Sequence, residues 1–73
     1  MYKETFAIKL KAARKEAGYT QRQVEALTGI KQSCLAGYEI GRTEPDIETL
    51  GTLADFYNVS TDWLIGTKGK NQK

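Results

Sequence analysis

The 73 residues are enough for one small domain, and a domain this size buries only about 60% of the surface its unfolded chain exposes, which leaves little room for a deep substrate cavity beside the core. With 40% hydrophobic and 27% charged residues and a net charge of +2, the composition is that of a globular chain, neither a disordered polyion nor a membrane protein. The total charge alone argues for no nucleic-acid partner. The chain has no histidine, which excludes a histidine base or metal ligand, and its single cysteine, Cys34, allows neither an internal disulfide nor a Cys-rich zinc cluster. No apolar run approaches the roughly 20 residues of a membrane span. Lys3, Glu4 and Lys9 interrupt the stretch where a signal peptide would be continuously apolar. A cytoplasmic chain without metal, cofactor or evident small-molecule ligand is expected.

Five short helices and no strands are predicted. Phe6, Leu10, Ala13 and Ala17 form the apolar stripe of the first, with Thr5 as its N-cap and Gly18 as its left-handed stop. Thr20 and Gln23 have the spacing of a capping box at the start of a second helix, in which Val24, Leu27 and Thr28 share a face before Gly29. A third helix runs from about Gln32 to Ile40, with Leu35 and Tyr38 on its inner side and Gly41 closing it. After the loop Arg42-Thr43-Glu44-Pro45, Asp46 caps a fourth helix whose stripe is Ile47, Leu50, Ala54 and Tyr57. Asn58 stops it, and Ser60 caps a last helix holding Trp63, Leu64 and Ile65. Order is expected over residues 1–66. Residues 67–73 read as a flexible, Lys-rich tail.

Residues 20–41 carry the functional signal. Two helices of about eight residues flank a tight turn at Gly29, and Val24, Ile30, Leu35 and Tyr38 are placed to lock their crossing. That is the pattern of a helix-turn-helix, although an ordinary αα-hairpin has similar spacing. Gln21-Arg22-Gln23-Val24 after Thr20, Thr28-Gly29-Ile30 and Tyr38-Glu39-Ile40-Gly41-Arg42 resemble the Cro/cI-type (Xre) helix-turn-helix regulators. The same holds for Pro45-Asp46-Ile47-Glu48-Thr49-Leu50 and for Leu53 through Leu64. The resemblance runs from about Phe6 to Gly66. It implies an all-α, five-helix, lambda-repressor-like domain that binds double-stranded operator DNA, commonly as a homodimer, with the third helix in the major groove and a repressor as the expected regulator.

By position, the resemblance makes Gln32, Ser33, Ala36 and Gly37 base-reading residues. Gln32 is the strongest of them, because a side-chain amide pairs bidentately with adenine N6 and N7. Ala36 suits a thymine methyl, and Gly37 either permits close approach or is a plain interior glycine. No arginine is expected on this face. The resemblance makes Gln21, Lys31, Arg42 and Thr43 phosphate contacts, and Arg14 and Glu39 a structural ion pair tying the first helix to the third.

The chain departs from the family pattern at three places, Lys31, Glu25 and Gly51. Lys31 stands where Ser or Thr is usual and has no acceptor with which to cap a helix, so a DNA phosphate is the partner expected for it. Glu25 replaces a small residue against the third helix and must lean to solvent, find a cation or shift the crossing. Gly51 replaces a larger apolar residue, and Cys34 is expected to be semi-buried. Phe56, Trp63 and Ile65 are candidates for a dimer surface, with core packing the plainer expectation for Trp63. The scattered carboxylates and the lack of a glycine-rich phosphate loop argue against an enzyme. The alternative reading is a protein-binding module of the same fold, an antirepressor or antitoxin-like partner. The charge is also uneven. Residues 1–43 carry eight basic and four acidic side chains, residues 44–67 carry five acidic and no basic ones, and three lysines follow. The small total is a cancellation, and the basic half holds the helix-turn-helix.

Overall fold

Each helix sends one aliphatic side chain into full burial: Leu10, Val24, Leu35, Leu53 and Leu64 meet at the centre of the molecule. The computed structural model describes residues 2–67, which form five helices and no strand. They are α1 (Tyr2–Ala17), α2 (Gln21–Thr28), α3 (Gln32–Glu39), α4 (Ile47–Tyr57) and α5 (Thr61–Ile65). The long α1 is the spine, packing against α3, α4 and α5, while α2 packs on α3. Phe6 meets Tyr38 edge-on at 6.5 Å, and Tyr19, Phe56 and Tyr57 form a second aromatic group at 5.1 and 5.2 Å. Burying a Leu or Val side chain contributes about 1.5–3 kcal/mol, so these five residues are the main reason so short a chain folds.

Local chemistry sets the helix starts. Thr20, Asp46 and Ser60 have extended backbones, and their side chains accept from the N–H groups of Gln23, Thr49 and Trp63 at 3.1, 2.8 and 3.0 Å. The Gln23 side chain returns to the Thr20 N–H at 2.8 Å, completing the capping box. The hydrogen bond from Thr49 holds the Asp46 carboxyl below its ordinary value. At the turn between α2 and α3, Gly29 has φ +83°, which a Cβ would make costly. Its N–H bonds the Glu25 carbonyl at 2.8 Å, and the Thr28 hydroxyl donates to the Val24 carbonyl while accepting from the Ile30 N–H. α3 closes in a Schellman motif: the N–H groups of Gly41 and Arg42 return to the carbonyls of Tyr38 and Gly37.

The structure departs from the sequence expectations at several points. Thr5 is not an N-cap but an interior residue of α1, which begins at Tyr2, four residues before Phe6 on the same stripe. The Thr5 methyl lies under the end of α5, 2.7 Å from where a Cβ on Gly66 would sit. Leu27 and Ile47 do not join the core; they are 61% and 87% exposed. α2 is too short for more than Val24 to reach the centre, and Ile47, the first residue of α4, projects past the core edge. Cys34 is exposed rather than semi-buried, because the inner face of α3 is taken by Leu35, Tyr38 and Glu39. Trp63 is 40% exposed, with the Lys9 ammonium 4.8 Å from its ring centroid, while Phe56 packs against the core. Residues 68–73, most of the expected tail, lie outside the described residues. Among the described residues no helix is long and apolar enough to cross a membrane.

Candidate nucleic-acid interface

α3 is held at both ends by side chains from other elements, and its outer face is left open. At its C-terminal end Glu39 is buried and paired with Arg14 of α1: Arg14 Nε donates to Glu39 Oε2 at 2.7 Å and Nη2 to Oε1 at 2.9 Å. Arg14 Nη1 also donates to the Tyr19 carbonyl at 2.9 Å, fixing the link between α1 and α2. The hydrogen bonds to Glu39 push the Arg14 guanidinium above its ordinary value. The expected ion pair is therefore bidentate, and it anchors α3 as well as joining it to α1.

Glu25 holds the N-terminal end. Lys31 stands at the N-cap position with extended backbone and makes no side-chain cap. The missing acceptor comes from α2 instead: Glu25 Oε1 accepts from the Gln32 N–H at 3.0 Å. Half-buried Glu25 finds, in place of the expected cation, the positive end of α3, where a carboxylate is favoured by the orphan N–H groups and the helix dipole. The two departures at positions 25 and 31 thus answer one another. Sequence reasoning missed this contact. Its signal was the lysine itself, since an N-cap residue with no acceptor implies that another element supplies one.

The remaining candidate residues lie on α3 or on the segments next to it. Lys31, Ser33, Arg42 and Thr43 are exposed, and Gln21, Gln32 and Ala36 are half-buried. Gln32 Nε2 donates to Gln21 Oε1 at 2.7 Å, and Gln21 Nε2 donates to Glu39 Oε1 at 3.0 Å. The Gln32 amide keeps its oxygen and one N–H for another partner. Gly37 differs from expectation: it is buried, not open on the groove side. A Cβ there would lie 2.9 Å from Thr43 Oγ1 and 3.9 Å from Arg42 Nη2. The close approach that Gly37 permits is that of the following loop. Through it an arginine does reach this face, although α3 itself carries none.

Comparison with known proteins agrees with this geometry. A family model described as Helix-turn-helix matches residues 10–64. The chain is 42% identical over 65 residues to the HTH-type transcriptional regulator ImmR of Bacillus subtilis (strain 168), covering 89% of this chain and 51% of that protein. It is 40% identical over 60 residues to the SPbeta prophage-derived HTH-type transcriptional regulator YonR of the same organism, covering 82% and 56%. To the HTH-type transcriptional regulator AnsR, also from B. subtilis, it is 34% identical over 64 residues, covering 88% and 55%. The chain spans about half the length of these relatives. A motif-bearing α2–α3 pair, a five-helix all-α fold and these matches together make the chain a member of the helix-turn-helix family of Cro/cI-type transcriptional regulators, a DNA-binding and non-enzymatic family.

Proposed function

We propose that this chain binds double-stranded operator DNA sequence-specifically and acts as a transcriptional repressor, with α3 lying in the major groove. The observation that carries the reading is the open outer face of α3, with Gln32 and Ser33 at its start, Ala36 mid-helix, and Lys31 and Arg42 at its two ends. A helix is about 10–12 Å across with its side chains, which suits a groove about 12 Å wide. Gln32 reads adenine with the amide oxygen and N–H that the Gln21 bond leaves over. Ser33 donates or accepts, and Ala36 meets a thymine methyl. Gly37 serves the interface indirectly, by letting Arg42 and Thr43 close over it. Lys31, Arg42 and Thr43 contact phosphate, as does Gln21 at the start of α2.

Residues 1–66 act as the DNA-binding domain. Two copies related by a two-fold axis would read a palindrome with half-sites about 34 Å apart. An operator occupied in this way is closed to other proteins, the simplest route to repression, and it lies in the cytoplasm of a bacterial cell. The test is duplex binding as a function of salt, after selection of bound sequences from a random pool. Counterion release predicts a steep negative slope of log K against log[salt], which Lys31→Ala and Arg42→Ala each flatten by about one. Ile40, exposed directly after α3, favours the alternative of a protein partner. That reading takes over when no duplex binding is seen at low salt across the pool.

A further inference from the structure

The start of α1, the loop after α3, the first half of α4 and the end of α5 leave between them a cavity of about 290 Å³ that opens to solvent. Its lining is mostly apolar: Phe6 is buried, Leu50 and Ile65 are half-buried, and Tyr2 is 56% exposed. Two charges share it, Lys3 on α1 and Glu44 in the loop. Among the described residues neither side chain makes an ion pair or a hydrogen bond. We infer that this cavity binds one free amino acid with a large apolar side chain. The ligand's carboxylate pairs with Lys3, its ammonium with Glu44, and its side chain enters among Phe6, Leu50 and Ile65.

Size, lining and charge select that ligand together. The space would take several waters at about 30 Å³ each, far more than a packing flaw leaves. It lies at the lower limit of small-molecule pockets, roughly 300–1,000 Å³, so it suits a ligand on the scale of one amino acid. Water is a poor occupant because the lining is apolar, and covering that surface is favourable. A ligand of one sign would meet its opposite on one side and its like on the other. A free amino acid carries both signs on one carbon, and the same carbon bears the side chain that can cover Phe6 and Leu50. A polar side chain would set its donors and acceptors against these residues without partners. The lining residues are scattered over the chain from Tyr2 to Ile65 and meet only when it is folded, so no run of sequence marks the site. Glu44 directly follows Thr43, so occupancy ties α1 to the loop that closes against α3.

The test is made on the free 73-residue chain and needs no DNA, so it stands apart from the reading of α3. L-phenylalanine is titrated while nitrogen–proton spectra are recorded. The backbone amides of Lys3, Phe6, Thr43, Glu44, Leu50 and Ile65 should move together and saturate, with half-saturation at about 2 mM for a ligand of about a dozen non-hydrogen atoms at ordinary efficiency. Three analogues divide the contacts. Glycine keeps both charges without the side chain and should not saturate in this range. N-acetylphenylalanine lacks the ammonium and phenylalanine amide lacks the carboxylate; each should bind about threefold more weakly, the scale of one partly exposed ion pair. Glu44→Gln should bind phenylalanine about threefold more weakly and should no longer distinguish it from N-acetylphenylalanine. Lys3→Met should do the same for phenylalanine and its amide. The analogue series on the parent chain decides the matter even if a variant fails to fold. Absence of saturating shifts at the cavity residues overturns the site. Equal binding of the parent to phenylalanine and to N-acetylphenylalanine amide reduces it to an apolar recess and overturns the ligand class. Equal binding of phenylalanine and its amide marks a peptide N-terminus as the ligand and overturns the free amino acid.

Discussion

Replacing Glu25 by Ala removes the acceptor that serves the Gln32 N–H at 3.0 Å and leaves α3 with a lysine at its N-cap position. Loss of an N-cap acceptor costs about 1 kcal/mol in typical cases. Removing a carboxylate from the positive end of a helix costs a further 0.3–1 kcal/mol or so. Alanine returns a few tenths of a kcal/mol to α2 through its better helix propensity, too little to offset the loss. The net cost is about 1–1.5 kcal/mol, which for a domain of this size lowers Tm by about 4–12 °C. Glu25→Gln keeps an acceptor oxygen without the charge and should lose about half as much. Lys31→Ser supplies a local acceptor and removes the opposing cation, so in the Glu25→Ala background it should restore about 1 kcal/mol. In the parent, where Glu25 already serves that end, the gain should be a few tenths. The assay is urea unfolding of the four-member cycle followed by circular dichroism. A Glu25→Ala variant as stable as the parent, or a Lys31→Ser gain of equal size in both backgrounds, would refute the compensation.

Other predictions follow from the same structure. Glu39→Ala leaves Arg14 partly buried without its bidentate partner and should cost about 3–5 kcal/mol by urea unfolding. Gly51 lies inside α4 with open space where a Cβ would go, so Gly51→Ala should stabilise by about 1 kcal/mol. Gly29→Ala, at φ +83°, should destabilise by about 1–2 kcal/mol, and thermal melts of the two variants should move in opposite directions. Burial pushes the Tyr57 hydroxyl from 10.0 to about 12, and its oxygen finds no hydrogen-bond partner among the described residues. Above pH 10 the unfolded chain gives up this proton first, so stability should fall between pH 10 and about pH 12. Tyr57→Phe should be no less stable at neutral pH and should show a shallower alkaline decline. Tyr38, also raised by burial, would account for part of what remains.

The helix ends were legible because their signals are local: Thr20, Asp46 and Ser60 cap within three residues, and Gly18 and Asn58 take the left-handed stops expected of them. Thr5 misled because a threonine suited to a cap also sits comfortably inside a helix that begins upstream, at Tyr2. Leu27 and Ile47 misled because periodicity identifies a face but not where the core ends. The Arg14–Glu39 pair came from resemblance, and its bidentate geometry agrees with that expectation. The contacts Glu25–Gln32 and Gln21–Gln32 span seven and eleven residues and depend on how α2 crosses α3. A crossing angle is a tertiary quantity, and spacing along the chain does not encode it. Likewise, the choice between close approach and a plain interior glycine at Gly37 depends on the loop carrying Arg42 and Thr43, which folds against it.

The anchoring of α3 at both ends has a further consequence. Glu25 holds its first turn, Arg14 and Gln21 hold its last, and the Arg42–Thr43 loop lies along its flank. Little ordering remains to be done on binding, so the helix meets a partner as a preset template. In a complex with DNA the duplex is then the softer body and must conform to the protein. Base steps that bend or twist easily would be favoured even where no side chain touches them, through the energy of deforming the double helix. The rigidity of this short helix would be written into the operator at positions that the protein never contacts.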